Sequence, residues 1–295
     1  MAWVGAEAAM SGQGNARASL GPGGRATLSA GGGYPGRDVA AGSRESGKGS
    51  GAGRADLLVA SIRRGLAEAA DPRRAPGMQA YMKSAMPYRG VPAPAQRAVY
   101  RRLLAEHPLE TASAWRRAVL ALWREAAFRE ERYAAIELAL AKRHAAFRTL
   151  EALPIFEEMI VDGAWWDYVD PVATRGIAEL LGKEARRMRA VLVAWSKHDD
   201  MWKRRSAIIA QVSCKDATDL ELLYACIEPN LSHRDFFVQK AIGWALRSYA
   251  WTDPDEVVRW VDEHESRLSG LSRREALKNV SSGKARGKRP ARSAR

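Results

Sequence analysis

The sequence has little of what most often declares a chemistry. It holds only two cysteines, Cys214 and Cys226, with no pair at CxxC spacing. That excludes a zinc site of the usual ligand spacing and makes a reducing, cytoplasmic compartment the expectation (nucleoid-associated if the source is bacterial). The five histidines, His107, His144, His198, His233 and His264, lie far apart, and no Ser-His-Asp or Cys-His order stands out. No apolar run approaches the ~18 residues that a bilayer span requires, so no membrane association is expected. Paired strand runs with hairpin turns are missing. The early glycines neither follow a strand nor open a helix, so a phosphate loop or dinucleotide fingerprint is excluded. No metal and no cofactor is expected.

Acidic residues are also absent from the last fifteen positions, 281–295, which carry six Lys and Arg. Residues 1–53 are rich in Gly, Ala, Ser and Arg, with too little apolar area to offset the entropy of ordering them. The domain reading is therefore a disordered arm over 1–53, a folded domain over 54–280 and a disordered basic tail over 281–295. The formal charge of +13 follows this division. The tail supplies six and residues 1–54 a net three, which leaves +4 for 55–280. Such a balance suggests a polyanionic partner, with much of the attraction held outside the fold.

What is present is helix. Leu57, Leu58, Ile62 and Leu66 recur at three- and four-residue spacing from about residue 55, with Arg63, Arg64 and Glu68 on the other side. Breaks at Asp71-Pro72, Ala75-Pro76-Gly77 and the Gly90–Pro94 turn separate the first helices. Helices of similar length then recur to residue 280. Pairs repeating every ~40 residues mark a HEAT-like solenoid, all-α, with a concave basic face for binding.

Three segments carry candidate chemistry. Ala164-Trp165-Trp166-Asp167-Tyr168-Val169-Asp170 sets two tryptophans and two carboxylates within seven residues. In a helix Trp165 and Val169 share one face, and Trp166 and Asp170 the next. Pro171 follows, so either a short helix ends near Asp170 or Asp170 caps a helix that begins at Pro171. In the second segment, Trp202, Arg205 and Ile209 share a face beside Lys203 and Arg204, a cluster suited to phosphate. In the third, Lys240, Trp244 and Arg247 fall at i, i+4 and i+7, an aromatic ring bracketed by two cations. Gly243 in that helix implies a close approach. Trp115, Trp123, Trp195, Trp251 and Trp260 read as packing residues. A carboxylate on a basic aromatic surface is unfavourable unless a function needs it. Stabilising a cationic transition state, as in glycosidic cleavage, is such a function.

Over about residues 70–280 the chain resembles the AlkD-type DNA alkylation repair glycosylases, built from HEAT-like helical repeats. The matching blocks are Tyr81-Met82-Lys83, Gly90-Val91 with Pro94 and Arg97, Trp165-Trp166-Asp167 with Val169-Asp170, Trp202, and Arg205-Ser206-Ala207-Ile208. Phe236-Phe237, Gln239-Lys240-Ala241-Ile242-Gly243-Trp244 and Leu271-Ser272-Arg273-Arg274-Glu275-Ala276 complete them. The resemblance implies a monomeric, monofunctional glycosylase that removes cationic N3- or N7-alkylated purines from duplex DNA, without an obligatory base-capture pocket. It implies that Asp170 is the catalytic carboxylate, stabilising the sugar cation and orienting the water. Trp166 and Trp244 would contact the lesion nucleotide, Arg205 would hold a phosphate, and Tyr81 would lie nearby. Lys240 and Arg247 complete the DNA-binding set from the spacing above. A cationic base needs little general-acid help, in keeping with no second placed acid. Pro171 and the bulky Tyr168 depart from the pattern. The alternative is a non-catalytic HEAT-like DNA-binding module, and a protein-interaction solenoid is a third reading.

Overall fold

The computed structural model describes residues 46–283. The arm expected over 1–53 and the tail over 281–295 therefore fall largely outside the described residues. The first helix, α1 (Ser46–Glu68), already takes in the last residues assigned to the arm. It is followed by α2 (Ala75–Tyr81), α3 (Ala93–Glu106), α4 (Ala112–Arg124), α5 (Arg129–Leu140), α6 (Leu153–Gly163) and α7 (Trp166–Pro171). Then come α8 (Ala178–Lys183), α9 (Ala185–Trp195), α10 (Met201–Ile209), α11 (Leu220–Ile227), α12 (Phe236–Tyr249), α13 (Pro254–Glu263) and α14 (Gly270–Ser281). The described residues contain no strand, and the chain has an all-α helical-repeat fold.

Each helix packs on elements close to it in sequence. Helix α4 lies against α1 and α5, α6 against α7 and α10, α10 against α9 and α12, and α12 against α14. The core follows this order, from Leu58, Ile62 and Leu66 through Trp115, Leu122 and Phe156 to Ile208, Ile242 and Trp260. Burial of such apolar faces, at ~25 cal/mol per Å², is what orders helices too short to persist alone. Among the described residues, no helix is long and apolar enough to cross a membrane.

Two of the helices that carry the site, α10 and α12, start at carboxylate caps. Asp200 accepts from the backbone N–H groups of Trp202 and Lys203, both at 2.9 Å, and so opens α10. Asp235 does the same for α12 through Phe237 and Val238, at 2.7 and 3.1 Å. Each cap is worth about 1 kcal/mol and fixes where the helix begins, hence which side chains face the site.

Candidate functional site

Helix α7 is set by a sharp reversal at Ala164, which adopts a left-handed conformation (φ 41°, ψ 35°) after α6. That conformation is unfavourable for a residue with a Cβ. It turns Trp165 into extended backbone at the N-cap of α7. The Trp165 ring lies 6.4 Å from that of Trp202 on α10 and 5.5 Å from that of Phe237 on α12, and those two are 5.1 Å apart. Three rings from three helices thus lock α7 against α10 and α12. Trp165 is half-buried and packs against the core through these rings.

One turn on, Asp170 is 5% exposed and Arg205 on α10 is 4% exposed. The guanidinium meets the carboxylate in a two-point pair, Nε to Oδ1 and Nη2 to Oδ2, both at 2.8 Å. Its remaining nitrogen, Nη1, donates to the Phe237 carbonyl at 2.7 Å. All three guanidinium nitrogens are engaged, so Arg205 orients Asp170 rather than waiting for a phosphate. This differs from the role implied by sequence. Burial raises the Asp170 pKa above its ordinary value; Arg205 pulls it down, and the charge of Asp167 pushes it up.

Of the two expectations for Pro171, a helix beginning there does not hold. The short α-helix ends near Asp170, at Pro171, but the chain stays helical and widens into π-helical turns over Val172–Ile177. Proline removes an N–H from the ladder, and a wider turn is one way a helix absorbs the loss. The Thr174 hydroxyl donates to the Asp170 carbonyl at 2.7 Å and secures the distorted stretch. Tyr168, the other departure, is buried, its ring edge-on to Trp123 at 5.4 Å. Its bulk is absorbed in the core, away from the pair formed by Asp170.

The half-buried Trp166 sits one turn before Asp170 on α7. Trp244, also half-buried, projects from α12 with its ring centre 5.9 Å from the Arg205 guanidinium carbon. The structure therefore brings Asp170, Arg205 and Trp244 together, with Trp166 on the adjoining turn. Tyr81 lies nearby: it is 62% exposed and lines a cavity of about 350 Å³ bordered by Asp167 and by Pro171, the residue after Asp170.

Asp167 is a feature that the sequence reading passed over, and it corrects the expectation of no second placed acid. Arg129 donates to its Oδ1 at 2.6 Å, and the Tyr133 hydroxyl donates to Oδ2 at 2.5 Å. The Tyr133 oxygen in turn accepts from Arg129 Nε at 3.0 Å and pairs with the Tyr88 hydroxyl at 2.7 Å. Burial pushes the Asp167 carboxyl up, with Arg129 and Tyr133 acting against it, and burial pushes the Tyr88 phenol to about 12. The available signal was Arg129 and Tyr133 at i, i+4 on one helix face. Nothing in the sequence paired that face with Asp167, thirty-odd residues on.

The Gly90 turn holds Tyr88 in place. Glu130, fully buried, accepts from the backbone N–H groups of Arg89, Gly90 and Val91 at 3.0, 2.9 and 3.1 Å. Gly90 has φ 81°, and a Cβ there would lie 2.0 Å from the Asp71 carbonyl oxygen, so no other residue fits.

The other cations of the second and third segments are partnered. Lys203 pairs with Glu157, and Arg204 binds the Asn230 side chain and the Lys197 carbonyl. Lys240 and Arg247 both pair with Glu275 on α14, so the carboxylate joins the two cations that were expected to face DNA. The close approach at Gly243 is by α14 as well: a Cβ would meet Glu275 Cβ at 2.4 Å and the Ser272 carbonyl at 2.8 Å. Trp251, read as a packing residue, is 41% exposed.

Comparisons with known proteins give the family of the chain. The family described as DNA alkylation repair enzyme matches residues 62–280. A solved structure, a predicted DNA alkylation repair enzyme from Enterococcus faecalis, is 30% identical with a TM-score of 0.66. The match covers 72% of this chain and 97% of that one. No curated protein matches. With the family matched along most of its length, the chain belongs to the DNA alkylation repair enzymes.

Proposed function

We propose that the protein is a DNA glycosylase that hydrolyses the N-glycosidic bond of cationic N3- or N7-alkylated purines in duplex DNA, acting as a monomer. The observation that carries this reading is the Asp170 carboxylate, buried and oriented by two N–H groups of Arg205. An alkylated purine already bears a positive charge. When its bond to the sugar breaks, the bonding electron pair leaves with the base and neutralises it, so no proton donor is required at that step. The positive charge moves to the sugar, where a fixed carboxylate in a poorly solvated site stabilises it without having to reorganise. Water then adds to the sugar carbon and loses a proton, which leaves an abasic site and a neutral base. Trp166, one turn before Asp170 on α7, and Trp244, beside Arg205, offer ring surfaces to the lesion nucleotide. Arg205 acts through Asp170, as a positioning residue.

The test is incubation of the full chain with methylated duplex DNA, followed by chromatography of the released bases. Release of 7-methylguanine or 3-methyladenine by wild type, and its loss in Asp170→Asn with duplex binding retained, is the expected result. Duplex binding without any release by wild type would overturn the catalytic reading and leave a non-catalytic DNA-binding module.

A further inference from the structure

We propose that Asp167 is a positioning residue for Asp170: held by Arg129 and Tyr133 on α5, it sets the rotation of α7 and with it the direction in which the Asp170 carboxylate points. What Asp170 acts on rests on the glycosylase reading; that Asp167 orients it rests on the contacts. Helix α7 has six residues, too few to persist by its own hydrogen bonds. Both its flanks are irregular. The left-handed Ala164 precedes it, and π-helical turns follow Pro171. The direction of its side chains is therefore decided by what the neighbouring helices grip.

The Trp165 ring fixes the start of α7 against α10 and α12, and Arg205 takes Asp170. The grip on Asp167 is built like the one on Asp170. The Arg129 and Asp167 side chains are 7% and 11% exposed. All three guanidinium nitrogens are engaged: Nη2 with Asp167, Nε with the Tyr133 hydroxyl and Nη1 with the Ser84 hydroxyl. The same guanidinium lies over the Tyr168 ring, 4.1 Å from its centre, so it holds two consecutive residues of α7. Tyr133 takes the other carboxylate oxygen and links on to Tyr88, beside the turn that Glu130 closes. With both oxygens held, Asp167 is an anchor and not a reagent. Asp167 and Asp170 lie three residues apart on one turn, so a rotation of α7 moves both. Side-chain tips stand ~5–6 Å from a helix axis, so a rotation of about 10° displaces the Asp170 oxygens by about 1 Å. A displacement of about 1 Å can cost about 10²-fold in rate.

The experiment measures single-turnover base release and duplex affinity in the full chain, below the melting temperature of every variant. Asp167→Ala removes the anchor. Tyr133→Phe keeps the charge of Asp167, which itself acts on Asp170, and loosens only its hold. Release at saturating methylated duplex is expected to fall by about 10–10²-fold in Asp167→Ala and by less in Tyr133→Phe, with duplex affinity unchanged in both. Should Asp167→Ala strand Arg129 and fail to fold, Asp167→Ala with Arg129→Met leaves no buried charge unpaired and takes its place. A second measurement needs no turnover: solvent exchange, by NMR, of the Arg205 Nε–H, the proton bonded to Asp170. It should quicken in the variants, while the Arg148 Nε–H, bonded to Glu179 at 2.7 Å, keeps its rate. Wild-type release in either variant, a loss carried wholly by duplex affinity, or exchange that is unchanged or equally quickened at the two protons overturns the proposal. The two readings fail separately. A wild type that releases no base removes the glycosylase, and exchange at Arg205 still decides the anchor. Release that neither variant slows removes the anchor and keeps the glycosylase.

Discussion

Replacing Asp170 by Asn tests the fold and the chemistry at once, because the same carboxylate serves both. The substitution keeps shape and one acceptor oxygen but removes the charge that neutralises Arg205. Arg205 is 4% exposed, and two of its three donor nitrogens point at Asp170. Breaking a buried pair from one side costs ~3–5 kcal/mol, since the remaining charge is stranded. Two features bring this toward the lower end: the Phe237 carbonyl still accepts from Nη1, and the Asn oxygen can accept one further N–H. The burial that raises the Asp170 pKa acts in the same direction, because ionising the group costs the folded state something that Asn does not incur. About 3 kcal/mol is therefore expected, or a fall in melting temperature of roughly 6–12 °C. A second variant, Asp170→Asn with Arg205→Met, removes the stranded charge and should recover most of the loss. Base release should drop by about 10²–10³-fold in both, the magnitude typical of losing one preorganised electrostatic contact in a transition state. Calorimetric melting and the release assay read the two effects separately. If Asp170→Asn melts at or above the wild-type temperature, the pair does not stabilise the fold. If the double variant releases base at the wild-type rate, the carboxylate does not act on the reaction.

Other expectations follow from single contacts. Glu275→Gln removes the charge that both Lys240 and Arg247 bind. If these cations then reach phosphates, duplex affinity should rise and the salt dependence should steepen by about one to two in log–log slope; unchanged titrations would place both outside the interface. Gly243→Ala puts a methyl group 2.4 Å from Glu275 Cβ and 2.8 Å from the Ser272 carbonyl. Neither neighbour is the tip of a flexible chain, so a loss of about 1–3 kcal/mol in urea denaturation is expected despite the better helix propensity of alanine. No loss would mean that α14 can move away. The pH dependence of Asp167 has a definite sign. Its folded-state pKa is raised above the ordinary 3.8, chiefly by burial, so the folded protein holds that proton more tightly than the unfolded chain. The associated stability is present below 3.8 and is lost as pH rises through the raised value. The stability of wild type minus that of Asp167→Asn should therefore decline with rising pH across that window. An opposite slope would show that Arg129 and Tyr133 outweigh burial.

The helices could be read from the sequence because their signal is local. The spacing of Leu58, Ile62 and Leu66 acts within a few residues, as do the caps that the structure shows at Asp200 and Asp235, whereas Pro76 and Pro171 fall inside helices. Trp165 and Trp166 are consecutive and so point to different faces, which is legible from the sequence; both are half-buried in the fold. What escaped was every decision made between distant segments. A basic triplet at Lys203, Arg204 and Arg205 reads as a phosphate surface, since nothing nearby in sequence opposes it. In the fold, an acid or a polar group from another helix meets each cation: Glu157, Asn230 and Asp170. The same holds for Lys240 and Arg247, whose partner Glu275 lies about thirty residues on. A helical repeat stacks the faces of successive helices, so charges separated by one repeat become neighbours. In such a fold a cation excess along the sequence overstates the free positive surface. On the proposed function, the cations expected to bear on DNA are those that the stack leaves unpaired. Arg97, exposed and without an ion pair, meets that condition among the described residues, whereas Arg205, bound to the carboxylate proposed to be catalytic, does not.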